Sequence, residues 1–253
     1  LRLHHLAEDG ALRLAIRRRR WALPFREHVT TVCPFLPVTG SYDDYLAGHA
    51  SSTFRRNIRR YTKRFLETEG ARVEQVRAPE DVAAAIDRFY VLHEERFRAL
   101  GERSSVGESL RNFHRHVALR AARRGHVAFT FLRVGDRDVA CEYAFVDAHT
   151  RYAFQGGQDP ASGVTSPGFV LRALILRDEV IGEGRDEYDF LDGAEAYKAR
   201  WTTRVRRLFD LDVRRPSRLG RWRTFLGGAP YVIRDLLKPE RGTQDDPFEG
   251  GGA

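Results

Sequence analysis

From Arg72 onward the apolar positions switch repeatedly between strand-like and helix-like spacing. Arg72 to Arg77 reads as a strand, with Val73 and Val76 among polar neighbours. Pro79-Glu80-Asp81 then opens a helix: proline suits the first turn, and two acids complement the helix dipole. Val82, Ile86, Phe89, Tyr90 and Phe97 supply its apolar stripe. Gly101 to Gly107 reads as a loop, and Ser109 to Arg124 as a second helix stopped by Gly125. Three strand-like runs follow, His126–Val134, Asp138–Val146 and Arg151–Gln155, joined by turns at Gly135-Asp136 and Asp147–Thr150. Gly156 to Gly163 is expected to be a loop. Ser166-Pro167-Gly168 leads into a helix over Phe169–Ile181, with Ser166 as its cap. Glu187–Leu191 predicts a short buried strand, Ala194–Trp201 a small helix and Val205–Val213 a last strand. The order β, α, α, β, β, β, α, β, α, β predicts an α/β fold of the mixed-sheet (α+β) kind between helices; the sheet over Arg72–Val213 is expected to reach seven strands, one more than the six runs named.

The preceding residues differ in character. Pro34 and Pro37 favour an extended segment, and Ser41 can cap a short helix. A second helix starts near Ser51 or Ser52. Phe54, Ile58, Tyr61 and Phe65 form its one apolar stripe, against a dense basic face of Arg55, Arg56, Arg59, Arg60, Lys63 and Arg64. The pattern divides the chain into residues 1–70 (a partial first domain and its basic connecting helix), 71–215 (the α/β domain) and 216–253. The last of these is a basic extension with a helix around Tyr231–Leu237 and a frayed tail.

Composition narrows the classes. At 253 residues and 42% hydrophobic, the chain is expected to fold around a real core. No apolar run reaches the roughly 18 residues of a membrane span, so no stable membrane insertion is expected. Leu1–Arg20 does not read as a signal peptide, because its arginines follow its apolar residues. With no methionine even at position 1, the sequence reads as a fragment or as one whose start is missing. Two distant cysteines, Cys33 and Cys141, read as buried small hydrophobes in a reducing, cytoplasmic compartment. No metal-ligand spacing stands out, His114 and His116 included. A net charge of +8 suggests an anionic partner or simply a solvated basic face.

The run Tyr152-Ala153-Phe154-Gln155-Gly156-Gly157-Gln158-Asp159-Pro160, then Ser166-Pro167-Gly168, then Asp189-Phe190-Leu191-Asp192-Gly193-Ala194-Glu195-Ala196-Tyr197-Lys198-Ala199-Arg200-Trp201, resembles the CelD-like bacterial acetyltransferases of the GNAT fold, a subfamily associated with cellulose and exopolysaccharide biosynthesis. More distantly it is similar to the FemAB aminoacyltransferases, which carry two such domains. Pro34–Pro37 and the Arg55–Arg60 helix resemble the connection out of a first, degenerate GNAT-like domain. The resemblance implies transfer of an acyl group, acetyl first among them, from acyl-CoA to an amine or hydroxyl acceptor, a saccharide precursor included. FemAB-like transfer from aminoacyl-tRNA and a non-catalytic GNAT-fold binding module are the alternatives.

It also implies sites. Ser166, Gly168 and Phe169, at the start of a helix whose free N–H groups and dipole favour anions, would meet the acyl-CoA pyrophosphate. Read locally, the same residues are equally an ordinary capped helix start. The stretch lacks the basic residue and the second small residue of the common GNAT loop. Glu142 sits mid-strand among Ala140 and Ala144. It reads either as a general base with its pKa raised by burial or as a structural carboxylate bonded to an arginine. Tyr197 would protonate the leaving thiolate or pack in the core. Lys198 would bind phosphate or stabilise an oxyanion, or be a surface lysine. Asp189 would orient the site. Tyr152, Gln155, Gln158, His93 and Trp201 are the acceptor-side candidates, although His93 reads more readily as a partly exposed helical histidine. The Arg55–Arg64 helix would contact tRNA or another anionic surface, or be merely solvated.

Overall fold

The computed structural model describes residues 1–19, 25–49, 51–68, 70–104 and 106–213; the expected extension and helix beyond residue 213 lie outside them. The chain forms two compact units: Leu1–Phe35 with the residues from Asp192 onward, and Leu36–Leu191.

In the first unit β1 (Arg2–Ala7) and β2 (Phe25–Pro37, through Phe35) pair antiparallel with opposite edges of β8 (Val205–Val213), beside the helix α1 (Ala11–Arg18). Pro34 and Pro37 are thus extended, as expected. The last strand of the sequence pairs with the chain's first residues, an association no local pattern announces. Arg13 holds this unit together. It is buried, stacks on Phe209 at 3.6 Å, and donates to Glu27 at 3.1 Å.

The second unit carries β3 (Ala71–Val76), β4 (Val127–Val134), β5 (Arg137–Val146) and β6 (Thr150–Gln158) as an antiparallel meander, with β7 (Glu187–Asp189) parallel to β6. Among the described residues, Arg72–Val213 therefore contains six strands rather than seven, of which β8 belongs to the other unit. The β4–β5 turn is Gly135-Asp136, with Gly135 supplying the positive φ (58°) that a two-residue hairpin needs.

Helices α4 (Pro79–Leu100) and α5 (Glu108–Ala122) cover one face of this sheet. Pro79 opens α4 and Gly101, in the left-handed region, closes it. Strand alternation sends Val127, Phe129, Phe131, Cys141 and Tyr143 into this face, where they pack with Val82, Ile86, Phe89 and Tyr90. Phe129 and Tyr143 stack with ring centres 4.5 Å apart. Truncating a fully buried phenylalanine such as Phe129 to alanine costs about 3–5 kcal/mol. Both cysteines are buried, and burial raises the Cys141 thiol far above its ordinary pKa.

The helix after β6 is shorter than expected. α6 spans Pro167–Ile175 and gives way to one wider turn of π-helix over Leu176–Ile181. The helices α2 (Tyr42–His49) and α3 (Ser52–Leu66) also belong to this unit. Ser51 caps α3 by accepting from the Phe54 amide, and Phe54 and Tyr61 pack edge-on against Phe169 of α6.

Candidate active site

β6 creates the opening on which the site depends. Phe154 is the extra residue of a bulge: Ala153 faces Ala144, whereas Gln155 faces Tyr143. β6 runs on through Gly156 and Gly157, expected as loop, to Gln158. On its other side pairing with β7 covers only Thr150–Glu187, Arg151–Tyr188 and Tyr152–Asp189. The chain then turns off. Asp189 accepts from the Leu191 amide at 2.7 Å, and Leu191 takes a positive φ of 56°, a conformation that costs a non-glycine residue about 1–2 kcal/mol. Two parallel strands thus part after a few residues.

The N-terminus of α6 follows the loop after β6. Ser166 occupies the cap position, but in the left-handed region (φ 52°) and without a side-chain cap bond, so it does not cap as expected. Pro167 carries no N–H. A Cβ on Gly168 would lie 3.1 Å from Oε1 of Gln158, so these two predicted residues are neighbours and glycine leaves room for the glutamine side chain. Asp159 shapes the loop between them by accepting from the Ala161 amide at 2.8 Å and from Arg137 at 2.6 Å. Arg64 of α3 donates to the Thr165 hydroxyl at 3.4 Å, which brings the basic helix beside the same loop. The start of α6 and the stretch of β6 that β7 does not pair thus come together at Gly168 and Gln158.

Beneath α6 the sheet holds a buried polar network. The Arg151 guanidinium is fully buried and donates to Glu142 at 2.9 Å, to Glu179 of the π turn at 2.6 Å and to the Thr130 hydroxyl at 3.0 Å. Thr130 in turn donates to Glu179 at 2.7 Å, and Gln75 donates to the same carboxylate. Tyr188 of β7 donates to the second oxygen of Glu142 at 2.5 Å and accepts from Arg172 of α6. Burial raises the Tyr188 phenol well above its ordinary pKa, so it remains a donor. Glu142 was expected as a general base facing the acceptor. Its carboxylate instead lies 4% exposed with both oxygens engaged, in the arginine-bonded, structural arrangement.

The other predicted residues are dispersed. His93 is wholly buried rather than partly exposed. Its Nδ1 donates to the Gly156 carbonyl at 3.0 Å and its Nε2 accepts from Ser104 at 2.7 Å, which fixes it as a neutral strut under the bulge; burial lowers its pKa. Helix α4 presses on β6 here: a Cβ on Gly157 would meet the His93 amide nitrogen at 2.6 Å. Tyr152 donates to Asp147 at 3.2 Å, at the β5–β6 turn, and Gln155 stands opposite Tyr143. Phe169 is engaged with Phe54 and Tyr61. Tyr197, Lys198 and Trp201 belong to the other unit. Instead of the expected small helix over Ala194–Trp201 there is one 3₁₀ turn, Lys198–Arg200. Trp201 is buried and Tyr197 is 37% exposed. Lys198 is buried rather than a surface lysine. Its ammonium donates to the Asp192 and Gly193 carbonyls at 2.7 and 3.3 Å and pairs with Glu195 at 2.8 Å, which ties it to its own turn.

Comparison with known proteins fits this architecture. The family model of the acetyltransferase (GNAT) domain matches residues 52–199, more than half of the chain. No curated protein sequence matches significantly. Among solved structures, FemX superposes with a TM-score of 0.61 at 10% identity, covering 83% of this chain and 71% of its own. The C-terminal domain of a putative lysylphosphatidylglycerol synthetase from Agrobacterium fabrum gives 0.58 at 11% identity, covering 96% and 74%. L-PGS from Bacillus licheniformis gives 0.56 at 11% identity, covering 94% and 73%. At such identities these likenesses concern the fold; the family match over residues 52–199 is what makes this chain a member of the acetyltransferase (GNAT) domain family.

Proposed function

We propose that this acyltransferase domain carries an acyl group from acyl-CoA directly to an amine or hydroxyl of the acceptor, within one ternary complex. One observation carries the reading: beyond Tyr152 and Asp189 β6 is no longer paired with β7, and its far end at Gln158 meets Gly168 at the N-terminus of α6. The exposed edge of β6 beyond its bulge offers backbone groups to an extended thioester arm. The start of α6 offers partial positive charge to a pyrophosphate. Catalysis on this reading is mainly alignment of donor and acceptor, which alone is worth about 7–11 kcal/mol when the reacting atoms are held close. Glu142 is assigned a structural role on this reading. A saccharide precursor as acceptor, working in the cytoplasm, belongs to the same proposal and rests on the CelD-like resemblance.

A second reading, transfer from aminoacyl-tRNA, is favoured by the arginines of α3 beside the α6 loop, through Arg64 and Thr165. One experiment separates the two. The protein is titrated with acetyl-CoA, longer acyl-CoAs and aminoacyl-tRNA while its thermal transition is followed, and turnover is then measured with labelled donor and a panel of amines and sugars. Stabilisation by an acyl-CoA and label transfer support the first reading. Response to aminoacyl-tRNA alone replaces it with the second.

A further inference from the structure

Away from the donor opening, α3 borders two hollows that share residues. One is lined by Ser52, Arg55, Arg56, Arg59, Arg60 and Lys63, with no acidic side chain in its wall. The other, about 610 Å³, runs between α2, α3 and α6. Its apolar lining is Leu46, Ile58, Leu66, Ala173 and Leu174, of which only Leu66 is more than 3% exposed; Asp43, Glu67 and Arg177 also stand in its wall, and Arg59 and Lys63 border both hollows. Its size falls within the range of small-molecule sites. Tyr42 also lines it, and burial pushes its phenol up to about 12, so the ring stays neutral. The hydroxyl of Thr62, on the same wall, is buried and has no hydrogen-bond partner among the described residues. Leu66 stands 56% exposed at the edge. Arg55 is partly committed, donating to the Leu46 carbonyl at 3.2 Å, Lys63 lies 3.6 Å from Glu67, and Arg60 donates to the Tyr61 hydroxyl at 2.8 Å; Arg56, Arg59 and Arg60 are all exposed.

A cationic hollow that continues into an apolar one matches a molecule with the same two halves. We infer that this face binds an anionic amphiphile, a phosphate head against Arg56, Arg59 and Arg60 with its hydrocarbon chain laid over Leu66 and the alkyl stems of Arg59 and Lys63 at the mouth of the second hollow. Nucleic acid would use the cations and leave the apolar groove idle. An amphiphile uses both, and covers Leu66. The site lies apart from the Gly168–Gln158 opening and does not depend on which donor the enzyme uses.

The probes are vesicles of phosphatidylglycerol with phosphatidylcholine, vesicles of phosphatidylcholine alone, a short-chain phosphatidic acid below its micelle concentration, inorganic pyrophosphate and unfractionated tRNA. Binding to the intact chain is measured by co-sedimentation and calorimetry. Two surface variants accompany the wild type: Arg56→Gln with Arg59→Gln, and Leu66→Gln. Their thermal midpoints are checked first against the wild type. Binding of the phosphatidylglycerol vesicles and of the short-chain amphiphile is expected, with phosphatidylcholine alone and pyrophosphate much weaker. Loss of two arginines should weaken vesicle binding by roughly 20-fold, and Leu66→Gln should weaken the short-chain amphiphile by about tenfold. Three results overturn the inference: no preference for the anionic vesicles, amphiphile binding that ignores Leu66→Gln, or tight tRNA binding that the arginine pair abolishes while neither lipid probe binds.

Discussion

Replacing Glu142 by glutamine separates the two roles a buried carboxylate can have. The amide keeps the shape, so no cavity opens. What changes is charge: Arg151, fully buried between two carboxylates, keeps only Glu179, and Tyr188 loses an ionised acceptor at 2.5 Å. A hydrogen bond to a charged group is worth about 1.5–3 kcal/mol, and removing one partner of an isolated buried ion pair costs about 3–5. Glu179 remains and the amide oxygen still accepts from Arg151, so the loss belongs toward the lower of these ranges, about 2–3 kcal/mol. For a chain of this size each kcal/mol moves the midpoint by about 2–4 °C, giving a fall of roughly 4–12 °C. Thermal unfolding followed by circular dichroism reads this. Transfer assayed well below the transition should then stay within severalfold of wild type. A midpoint within about 1 °C of wild type, joined to a rate loss of about 10²–10⁴-fold, would refute the structural assignment and restore Glu142 as the base.

Gly168→Glu should cut acyl-CoA affinity at least about tenfold with little change in midpoint, since it sets a carboxylate at the helix end and crowds Gln158; unchanged affinity in a protein whose wild type binds the donor would remove α6 from the site. Gly157→Ala should destabilise by about 1–3 kcal/mol, because its Cβ meets the backbone of Leu92 and His93, which cannot swing aside; an unaltered urea midpoint would contradict that packing. Burial lowers the pKa of His93 and His114 in the folded state, so the unfolded chain takes up their protons first. Stability should therefore be complete above about 6.5 and decline as pH falls from there toward 5.5, and a flat profile across that window would count against neutral buried imidazoles.

The elements legible in the sequence were those with an unambiguous period or stop signal. The α4 stripe, Gly101, Gly125 and the Gly135-Asp136 turn gave the order of the second unit directly. Three features escaped for physical reasons. Gly156 and Gly157 looked like loop because glycine has no strand preference, yet α4 needs their bareness to approach β6. The π turn looked like ordinary helix, since apolar spacing does not register one wider turn. The network around Glu142 was invisible because Thr130, Arg151, Glu179 and Tyr188 come from four separate elements, and only the sheet order brings them together. For the same reason Arg151, the centre of the network, drew no attention as a lone arginine opening a predicted strand. At the opening, Gly168 and Gln158 were legible from motif, whereas the Asp189–Leu191 turn that parts the strands needed coordinates.

The Tyr188 anchor has a consequence for the dynamics of its strand. Three residues of parallel strand would ordinarily fray, exchanging their amide protons through small local openings. Here β7 cannot lift away without stripping Glu142 of one donor and leaving a phenol oxygen dry in the interior. Opening of β7 is thereby tied to disruption of the guanidinium cluster, which joins β4, β5, β6 and the π turn. Amide exchange at Tyr188 should proceed only through unfolding of the whole second unit, at a rate matching the innermost residues of β4 and β5. The point at which the two strands part is thus held as still as the centre of the sheet.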